Sequence, residues 1–491
     1  MRAALACAVA LVACGNHHAA KKDSGGTGDG SGAACMVDTQ CAVGKCCSGV
    51  CTVTDDCSFA VLGVAPAEGF LNGGTWVVVS GAGFQTGMKA FVGDGRAPVR
   101  VENATTALIL TPPGPLGKQD IKIDLAGRTA TLPGAFEYKS AGLEQQWEQK
   151  PLQVVRGEDP GIGVMQDGRV LIAGGTTVPD SSAASLATAE IYDPATDMVM
   201  PAANSMSTVR WHNSSVTLLT GKVLVVGGAQ GQGDQTAADL FDPTTNTFTP
   251  TANKMNRARI YTRSVLLPDG RVFISSENDA TIELYDPDTD KFTLLDHTQA
   301  HVYGFVVRLR DGRVLLGAGD GGTRAAEVFD FDNSTVTAAQ PLVAGRSMLT
   351  AHTLPSGQVI VIGGASTSAG GITDPMASIE LFDPVSMAFS TTSYALVTPR
   401  CWHASALVRD GTVLVMGGYT VSGQCNSSVS SVEQVDPRAG TVTAFPTLLN
   451  TNTEWTAAVL QDGSIVGVGG GACGTTMALP DIDFLKGAPI Q

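Results

Sequence analysis

The sequence predicts an all-β protein in which one strand-rich unit is repeated seven times behind two smaller modules. Three observations predict this fold class. A turn glycine followed by a short Val/Leu/Ile run recurs through the last two-thirds of the 491 residues. Glycine is abundant, at 58 residues, and only 16% of residues are charged. Short apolar runs broken by Gly, Asp and Pro are typical of many strands and tight turns.

The charge pattern excludes one class of partner. The formal net charge is −15, and no block of Lys and Arg is present that could neutralise a phosphate backbone. We therefore expect no nucleic-acid partner. We also predict no metal and no cofactor, and we expect a monomer.

The N-terminal segment predicts export. Arg2 precedes an apolar run that ends in Leu11-Val12-Ala13-Cys14. This segment resembles a bacterial lipobox, which implies a signal peptide over residues 1–13 and lipidation of Cys14. A plain secretory peptide with an incidental cysteine is the alternative. Because Gly15 is not Asp, the resemblance implies an outer-membrane lipoprotein of the cell envelope, facing the periplasm or the surface.

Residues 14–34 are rich in Gly and Ser and predict a flexible tether. Residues 35–57 follow with six cysteines, namely Cys35, Cys41, Cys46, Cys47, Cys51 and Cys57. Because a segment this short cannot bury a hydrophobic core, we predict a small module held by three disulfides. The alternative, a zinc site, is disfavoured because the module has no C-x2-C pair and no His. The pairing among 15 alternatives stays open.

Residues 58–139 alternate apolar residues with Gly and Pro turns, which predicts a small β-sandwich. The segment carries Gly73-Gly74-Thr75, then Gly81-Ala82-Gly83-Phe84, then Thr111-Pro112-Pro113-Gly114. In this order the motifs resemble those of an IPT/TIG domain, an immunoglobulin-like fold. The resemblance implies a spacer, with a binding module as the alternative.

Residues 145–485 contain the repeat. Its turn glycines are at positions 168, 221, 270, 312, 357, 411 and 463, so the intervals run from 42 (270 to 312) to 54 (357 to 411). Each turn precedes a β run, most often closed by Gly-Gly, as in Val223-Leu224-Val225-Val226-Gly227-Gly228. Six units add a second phrase such as Glu380-Leu381-Phe382-Asp383-Pro384. Together the two phrases resemble the kelch repeat, which implies a seven-bladed β-propeller.

The pattern within each unit predicts four strands, which form one blade. The blades must stack in a ring because a single blade cannot bury both its faces. We predict that the Asp-Gly pairs supply the positive φ of two-residue hairpins. In the seventh unit the repeat pattern becomes weak after Cys473. We therefore expect the segment around Trp147 to donate its missing outer strand and close the ring.

In this topology the starts of the inner strands and the loops after the second strands share one face, the mouth of the ring. Side chains suited to anionic or hydroxylated ligands stand there, and the candidate ligand-binding residues are Arg210, His212, Arg259, Tyr261, His301, Tyr303, Arg346, Arg400, Trp402, His403 and Trp455. The alternative is that the Arg and His groups only bind loop carbonyls. The same face carries three further disulfide candidates, with Cys425 pairing either Cys473 or Cys401.

These features predict a lipid-anchored surface protein for binding or adhesion, with an extracellular glycan or protein as ligand. A sugar-acting enzyme similar to kelch-type sialic acid epimerases is the alternative, although no catalytic residues stand out. A copper oxidase of the galactose oxidase family is disfavoured. That family needs two Tyr, two His and a Cys fused to a Tyr, with one ligand from a domain after the propeller, and this chain ends at Gln491 directly after the array.

Overall fold

The computed structural model describes residues 35–488, apart from 37, 42–43, 55, 158, 179–183, 231–232, 277–279, 296–300, 302, 320–322, 369–370, 422–426, 452–454 and 471–480. The predicted signal peptide and tether, with Cys14, lie outside the described residues, as do Cys425 and Cys473. The described chain is all-β except for one short 3-10 turn, Asp38–Gln40. No helix in these ranges is long and apolar enough to cross a membrane.

The first domain is a two-sheet sandwich. One sheet has the order β3-β5-β9-β8, and the other has the order β1-β2-β11-β10-β6-β7 with β4 parallel to β11. The strands are β1 Lys45–Cys47, β2 Val50–Thr54, β3 Ala60–Ala65, β4 Glu68–Phe70, β5 Trp76–Ala82, β6 Lys89–Val92, β7 Gly95–Ala97, β8 Val99–Asn103, β9 Thr106–Leu110, β10 Gly117–Leu125 and β11 Arg128–Lys139. Strand β5 alternates buried and less buried residues, as a half-buried strand should.

The cysteine module is a continuation of this sandwich. Three disulfides, predicted in number but not in pairing, join Cys35 to Cys46, Cys41 to Cys51 and Cys47 to Cys57. The β1–β2 hairpin extends the larger sheet, since Thr54 and Val53 pair with Ala130 and Thr131 of β11. Sequence reasoning treated this module as separate because the pairing joins strands far apart in the chain.

The second domain consists of seven four-stranded sheets within the described residues, which confirms the predicted propeller. Blade one is β13 Gly161–Val164, β14 Val170–Ala173, β15 Ala189–Asp193 and β16 Met198–Pro201; blade two is β17 Ser214–Thr217, β18 Val223–Val226, β21 Ala238–Asp242 and β22 Thr247–Pro250, with the small hairpin β19 Ala229–Gln230 and β20 Gly233–Asp234. Blade three is β23 Arg263–Leu266, β24 Val272–Ser275, β25 Ile282–Asp286 and β26 Lys291–Leu295; blade four is β27 Phe305–Arg308, β28 Val314–Gly317, β29 Ala326–Asp330 and β30 Thr335–Ala338.

Blade five is β31 Thr350–Thr353, β32 Val359–Ile362, β35 Ser378–Asp383 and β36 Ala388–Ala395, with the hairpin β33 Ala365–Ser368 and β34 Gly371–Pro375. Blade six is β37 Ala404–Leu407, β38 Val413–Met416, β39 Val432–Asp436 and β40 Thr441–Phe445; blade seven is β41 Trp455–Val459, β42 Ile465–Gly469, β43 Asp481–Gly487 and β12 Leu143–Pro151. The second strand of every blade is buried along its whole length. Stacked blades cover both faces of this strand, so it is a continuous apolar run rather than an alternating one.

The seven turn glycines all have positive φ, between 79° at Gly463 and 96° at Gly312. The loops have three residues, however, and not the predicted two. In blade one Met165 N–H donates to the Arg169 carbonyl at 2.8 Å, and Gly168 N–H donates to the Met165 carbonyl at 3.0 Å. Glycine thus takes the left-handed third position that ends this kind of loop.

The ring closes as predicted. Strand β12 pairs with β43, with Trp147 opposite Leu485, and supplies the outer strand of blade seven. The Trp147 indole is 5% exposed and its Nε1–H donates to the Pro446 carbonyl at 2.9 Å. The two ends of the propeller are thereby joined in one sheet.

The sandwich covers the face of the ring that carries the hairpin loops. Backbone N–H groups of Leu71, Arg96 and Val99 donate to the carbonyls of Arg409, Arg310 and Pro268 at 3.3, 2.7 and 3.1 Å. The Arg409 guanidinium lies 3.8 Å from the centroid of the Phe70 ring. One end of the central channel therefore meets the sandwich, and the other end is the mouth.

Candidate functional site

Five blades place an arginine just before the inner strand, fully buried and paired with a carboxylate of the third strand. The pairs and their N–O distances are Arg156–Glu190 at 2.9 Å, Arg210–Asp239 at 2.5 Å, Arg259–Glu283 at 3.3 Å, Arg346–Glu380 at 2.6 Å and Arg400–Glu433 at 2.7 Å. All five arginines are 0% exposed. The carboxylate is the first residue of the second sequence phrase in most units, so each repeat carries both partners.

The guanidinium groups also hold the mouth loops. Nη1 of Arg400 donates to the carbonyls of Gly417 and Ser431 at 2.9 and 2.8 Å. Burial lowers the pKa of this guanidinium, and the charge and hydrogen bond of Glu433 oppose that effect. The geometry supports the structural alternative for four of the predicted ligand-binding residues, Arg210, Arg259, Arg346 and Arg400.

Blade four has a histidine in the place of the arginine. His301 is 5% exposed, its Nδ1 lies 2.8 Å from the Ala318 carbonyl oxygen, and its Nε2 lies 3.6 Å from Glu327 Oε2. Its position inside the blade also favours a structural role.

The residue two positions after this buried group has a left-handed backbone. The φ values are 52° at His212, 48° at Tyr261, 56° at Tyr303, 56° at Met348 and 52° at Trp402. Left-handed backbone is uncommon for residues other than glycine and is concentrated at functional sites. Asp159 holds the same position in blade one, with a φ of 39°. One such residue per blade, in six successive blades, surrounds the mouth.

Four of these side chains form an aromatic cluster together with Trp211. Ring centroids are 4.2 Å apart for Trp211 and His212, 3.8 Å for His212 and Tyr261, 5.2 Å for Tyr261 and Tyr303, and 5.3 Å for Tyr303 and Trp402. Tyr261, Tyr303 and Trp402 remain half-buried. Flat apolar surface is thus available at the channel entrance.

Two polar cavities adjoin the cluster, with volumes of about 170 and 180 Å³. Asp159, Arg263 and Thr456 line both of them. The Asp159 carboxylate lies 3.1 Å from His212 Nδ1. Burial raises the pKa of Asp159, but the hydrogen bond and charge of His212, with Arg263 and Thr456, outweigh burial and leave that pKa below its ordinary value. The carboxylate is ionised at neutral pH.

His403 and Trp455 complete the predicted set. Both line the second cavity but are largely buried, at 6% and 4% exposure. His403 Nε2 lies 3.0 Å from Thr350 Oγ1. Burial and the nearby Arg400 lower the pKa of His403 to about 3, so the imidazole is neutral at pH 7.

Sequence reasoning missed Arg156, Asp159, Arg263 and Met348. Met348 could have been found by aligning the inner-strand starts on the turn glycines, because it lies nine residues before Gly357, as Trp402 lies before Gly411. Arg156 lies 12 residues before its turn glycine, whereas the selected arginines lie 11 before theirs, so this alignment misses it by one position. Asp159 could have been found in the same way, since it lies nine residues before Gly168, as His212 lies before Gly221. Arg263 has no such signal, because no other unit carries an arginine at the corresponding position.

The remaining predictions concern Cys401 and a possible metal site. Cys401 is buried, and Cys425, its predicted partner, lies outside the described residues. Within the described ranges, the group of three side chains whose geometry could suit a metal is Cys35, Cys41 and Cys51. All three sulfur atoms are used in disulfides.

Comparison with known proteins agrees with the architecture. Residues 60–138 match the IPT/TIG domain family, and residues 400–449 match the Kelch motif. Beta-scruin of Limulus polyphemus is 27% identical over 168 residues, which cover 32% of this chain and 18% of that protein. The chain thus matches less than a fifth of this relative's length.

Two solved structures are similar in backbone. A fungal alcohol oxidase of the AA5 family in complex with copper has a TM-score of 0.58 at 17% identity, covering 70% of this chain and 76% of its own. A streptogramin B lyase has a TM-score of 0.49 at 12% identity, covering 70% and 98%. At 17% identity, the similarity to the oxidase shows the fold alone. Together with the seven blades and the sequence repeat, the Kelch and IPT/TIG matches identify the architecture as a β-propeller with kelch-type repeats behind an N-terminal IPT/TIG domain.

Proposed function

We propose that this protein is a lipid-anchored surface binding protein that recognises a glycan at the mouth of the propeller. The observation that carries the proposal is the aromatic cluster of Trp211, His212, Tyr261, Tyr303 and Trp402 beside the cavities lined by Asp159 and Arg263. A kelch propeller joined to a TIG domain indicates a binding or adhesion role in general terms.

The chemistry of the mouth suits a hydroxylated ring. The apolar face of a sugar can pack on half-buried aromatic rings, and its hydroxyl groups can bind the carboxylate and guanidinium beside them. A carboxylate that is ionised at neutral pH accepts strong charge-assisted hydrogen bonds.

The rigidity of the platform also supports binding. Each mouth residue follows a buried ion pair or the equivalent His301, so the loops are fixed before a ligand arrives. A preorganised site loses less entropy on binding. The three disulfides are typical of proteins that fold in an oxidising compartment, which agrees with export.

One observation favours a second candidate, a sugar-acting enzyme. Asp159 Oδ2 lies 3.1 Å from His212 Nδ1, and a carboxylate at this distance can orient an imidazole for acid–base catalysis. However, this imidazole lies between Trp211 and Tyr261 and is only 2% exposed. Recognition therefore fits the mouth better than proton transfer.

A glycan array probed with the full-length protein tests the proposal. We expect Trp402→Ala or Tyr261→Ala to weaken binding at least tenfold, because each removes stacking surface from the cluster. Tyr394→Ala is the matched control, since Tyr394 lies on the outer strand β36 and is also half-buried. Equal binding by wild type and Trp402→Ala would exclude the mouth as the site.

Two further measurements separate the other parts of the proposal. Intact-mass analysis of protein from the membrane fraction should show diacylglycerol on Cys14, and Cys14→Ser should lack it. Proton NMR of candidate sugars incubated with the protein should show binding without new products. New sugar signals that disappear with His212→Asn would instead establish the enzyme.

A further inference from the structure

The channel contains a third cavity, at the end opposite the mouth. Its volume is about 520 Å³, within the range of small-molecule sites. Trp76 and Phe70 of the TIG domain contribute to it from one side, and the inner strands contribute Val216, Val265 and Val459 from the other. Small-molecule sites are often formed between two domains in this way.

The two domains meet around this cavity through backbone hydrogen bonds and ion pairs. Arg310 pairs with Asp94 at 2.5 Å, and Lys89 pairs with Asp332 at 2.8 Å, while Arg96 also contacts Asp332. Trp76 packs against the apolar cluster of blades two and three. The TIG domain therefore forms the floor of the cavity and is not only a spacer.

The cavity is positively charged. Its ionisable lining residues among the described part of the chain are Arg308, His352 and Arg409, and its lining includes no Asp or Glu. Burial lowers the pKa of His352 to about 4, so this imidazole is neutral at pH 7, with Nε2 2.6 Å from Ser405 Oγ. The charge of the cavity comes from the two arginines.

Arg308 has no ion-pair partner among the described residues. Its Nη1 donates to the Leu266 carbonyl at 2.7 Å. Burial lowers the pKa of this guanidinium to about 10, which still leaves it charged at neutral pH. A cation held in a largely apolar cavity without a counter-ion is costly, and a bound anion would remove that cost.

Arg409 adds a second cation to the cavity, and the nearby Asp462, which does not line the cavity, offsets part of its charge. It is 6% exposed, and its Nε–H has no hydrogen-bond partner among the described residues. It belongs to a hairpin loop that contacts the TIG domain, so it lies at the junction of the floor and the channel wall. A donor left without a partner at this depth is uncommon in folded proteins.

We propose that this interdomain cavity binds a small organic anion, a carboxylate with an apolar body, with the carboxylate on Arg308. The aliphatic and aromatic walls suit the apolar part, and the guanidinium suits a two-oxygen anion. This proposal does not depend on glycan binding at the mouth.

The ligand has a route from the mouth. Ser264 and Val306 line both this cavity and the first mouth cavity, and Ser405 and Ala457 line both this cavity and the second. Adjacent cavities with shared walls run along the propeller axis. The anion would therefore enter past the aromatic cluster.

Binding of hexanoate and hexanol to the full-length protein tests the proposal, by calorimetry and by the shift in thermal midpoint. We expect hexanoate, but not hexanol, to bind and to raise the midpoint. Arg308→Met should weaken hexanoate binding at least tenfold. Arg313→Met is the matched control on the same blade, since Arg313 pairs with Asp311 in the hairpin loop and does not line the cavity.

Two outcomes would overturn the proposal, namely equal binding of hexanol and hexanoate, or unchanged hexanoate binding by Arg308→Met. If Arg308→Met does not fold, Arg308→Lys can be tested instead, since it retains the charge and should retain hexanoate binding. Saturation-transfer NMR on the wild-type protein also compares hexanoate with hexanol without any variant. Trp402→Ala should still bind hexanoate, which separates this cavity from the glycan site.

Discussion

Arg400 and Glu433, 33 residues apart, form an ion pair of 2.7 Å inside blade six, with side-chain exposures of 0% and 5%. The same relationship recurs in four other blades. It links the start of an inner strand to the third strand of its own blade, and Nη1 of the arginine binds the loop between the second and third strands.

Removing one member of this pair should be strongly destabilising. Arg400→Ala leaves Glu433 buried without its cation, and we expect a loss of about 3–5 kcal/mol of stability. Arg438→Ala is the control, because its pair with Asp436 is exposed and should contribute less than about 1 kcal/mol. Urea denaturation followed by circular dichroism measures both. Similar midpoints for the two variants would contradict the role given to the pair.

Closure of the ring depends on Trp147. Trp147→Ala removes a buried indole and its hydrogen bond to Pro446, so we expect destabilisation of about 3–5 kcal/mol. Gln146→Ala, on the exposed neighbouring position of β12, should change little. Limited proteolysis should cut blade seven first in the tryptophan variant. Equal resistance of both variants would show that β12 is dispensable for closure.

The disulfide from Cys47 to Cys57 should stabilise the hairpin that extends the TIG sheet. It closes a short loop, with a sequence separation of 10, and the chain-entropy relation gives about 3 kcal/mol for a loop of this length. The double variant Cys47→Ser/Cys57→Ser should exchange the β1–β2 amides faster, while blade amides stay protected. Hydrogen exchange measured by mass spectrometry reports both regions. Faster exchange throughout the propeller would mean that the module supports more than its own sheet.

Acid should destabilise the propeller through two buried histidines. Burial lowers the pKa of His403 to about 3 and that of His352 to about 4, against 6.5 for an ordinary histidine. Between pH 6.5 and 4 the unfolded chain binds protons that the folded chain does not. Their contribution to stability is therefore complete above pH 6.5 and is lost as the pH falls toward 4.

Thermal midpoints between pH 7.5 and 4.5 measure this effect. The double variant His352→Gln/His403→Gln should show a shallower decline than wild type over that interval. Because carboxylates titrate mainly below it, they contribute little to the difference. Parallel curves for the two proteins would show that other groups cause the acid sensitivity.

The repeat made the blades predictable, because the turn glycine, the apolar second strand and the third-strand phrase are all local signals. Closure by Trp147 also followed, since blade seven lacked an outer strand. The partner of each arginine is visible in the sequence as the first residue of the second phrase. No local sequence signal, however, predicts that a residue such as Arg346 pairs with Glu380. The three-residue loops were missed because a glycine with positive φ fits both loop lengths.

The location of the mouth was predicted from the sequence, but only some of the side chains that form it were. The arginines were chosen for their charge, yet buried carboxylates within each repeat neutralise them. Asp159 and Arg263 acquire their position from the closed ring, which brings blades one, three and seven to a common axis. The floor of the channel was not predictable, since contacts between the TIG domain and the hairpin loops leave no periodic pattern.

The attachment of the TIG domain to the hairpin face also determines which way the propeller points. The sandwich lies on the face opposite the aromatic cluster, so a molecule held through its sandwich presents the mouth to the surroundings. Capture on a sensor through the sandwich should leave the cluster accessible, whereas random coupling through lysines should not favour that orientation. Directional display is thus a property of the domain arrangement and does not require any particular anchor.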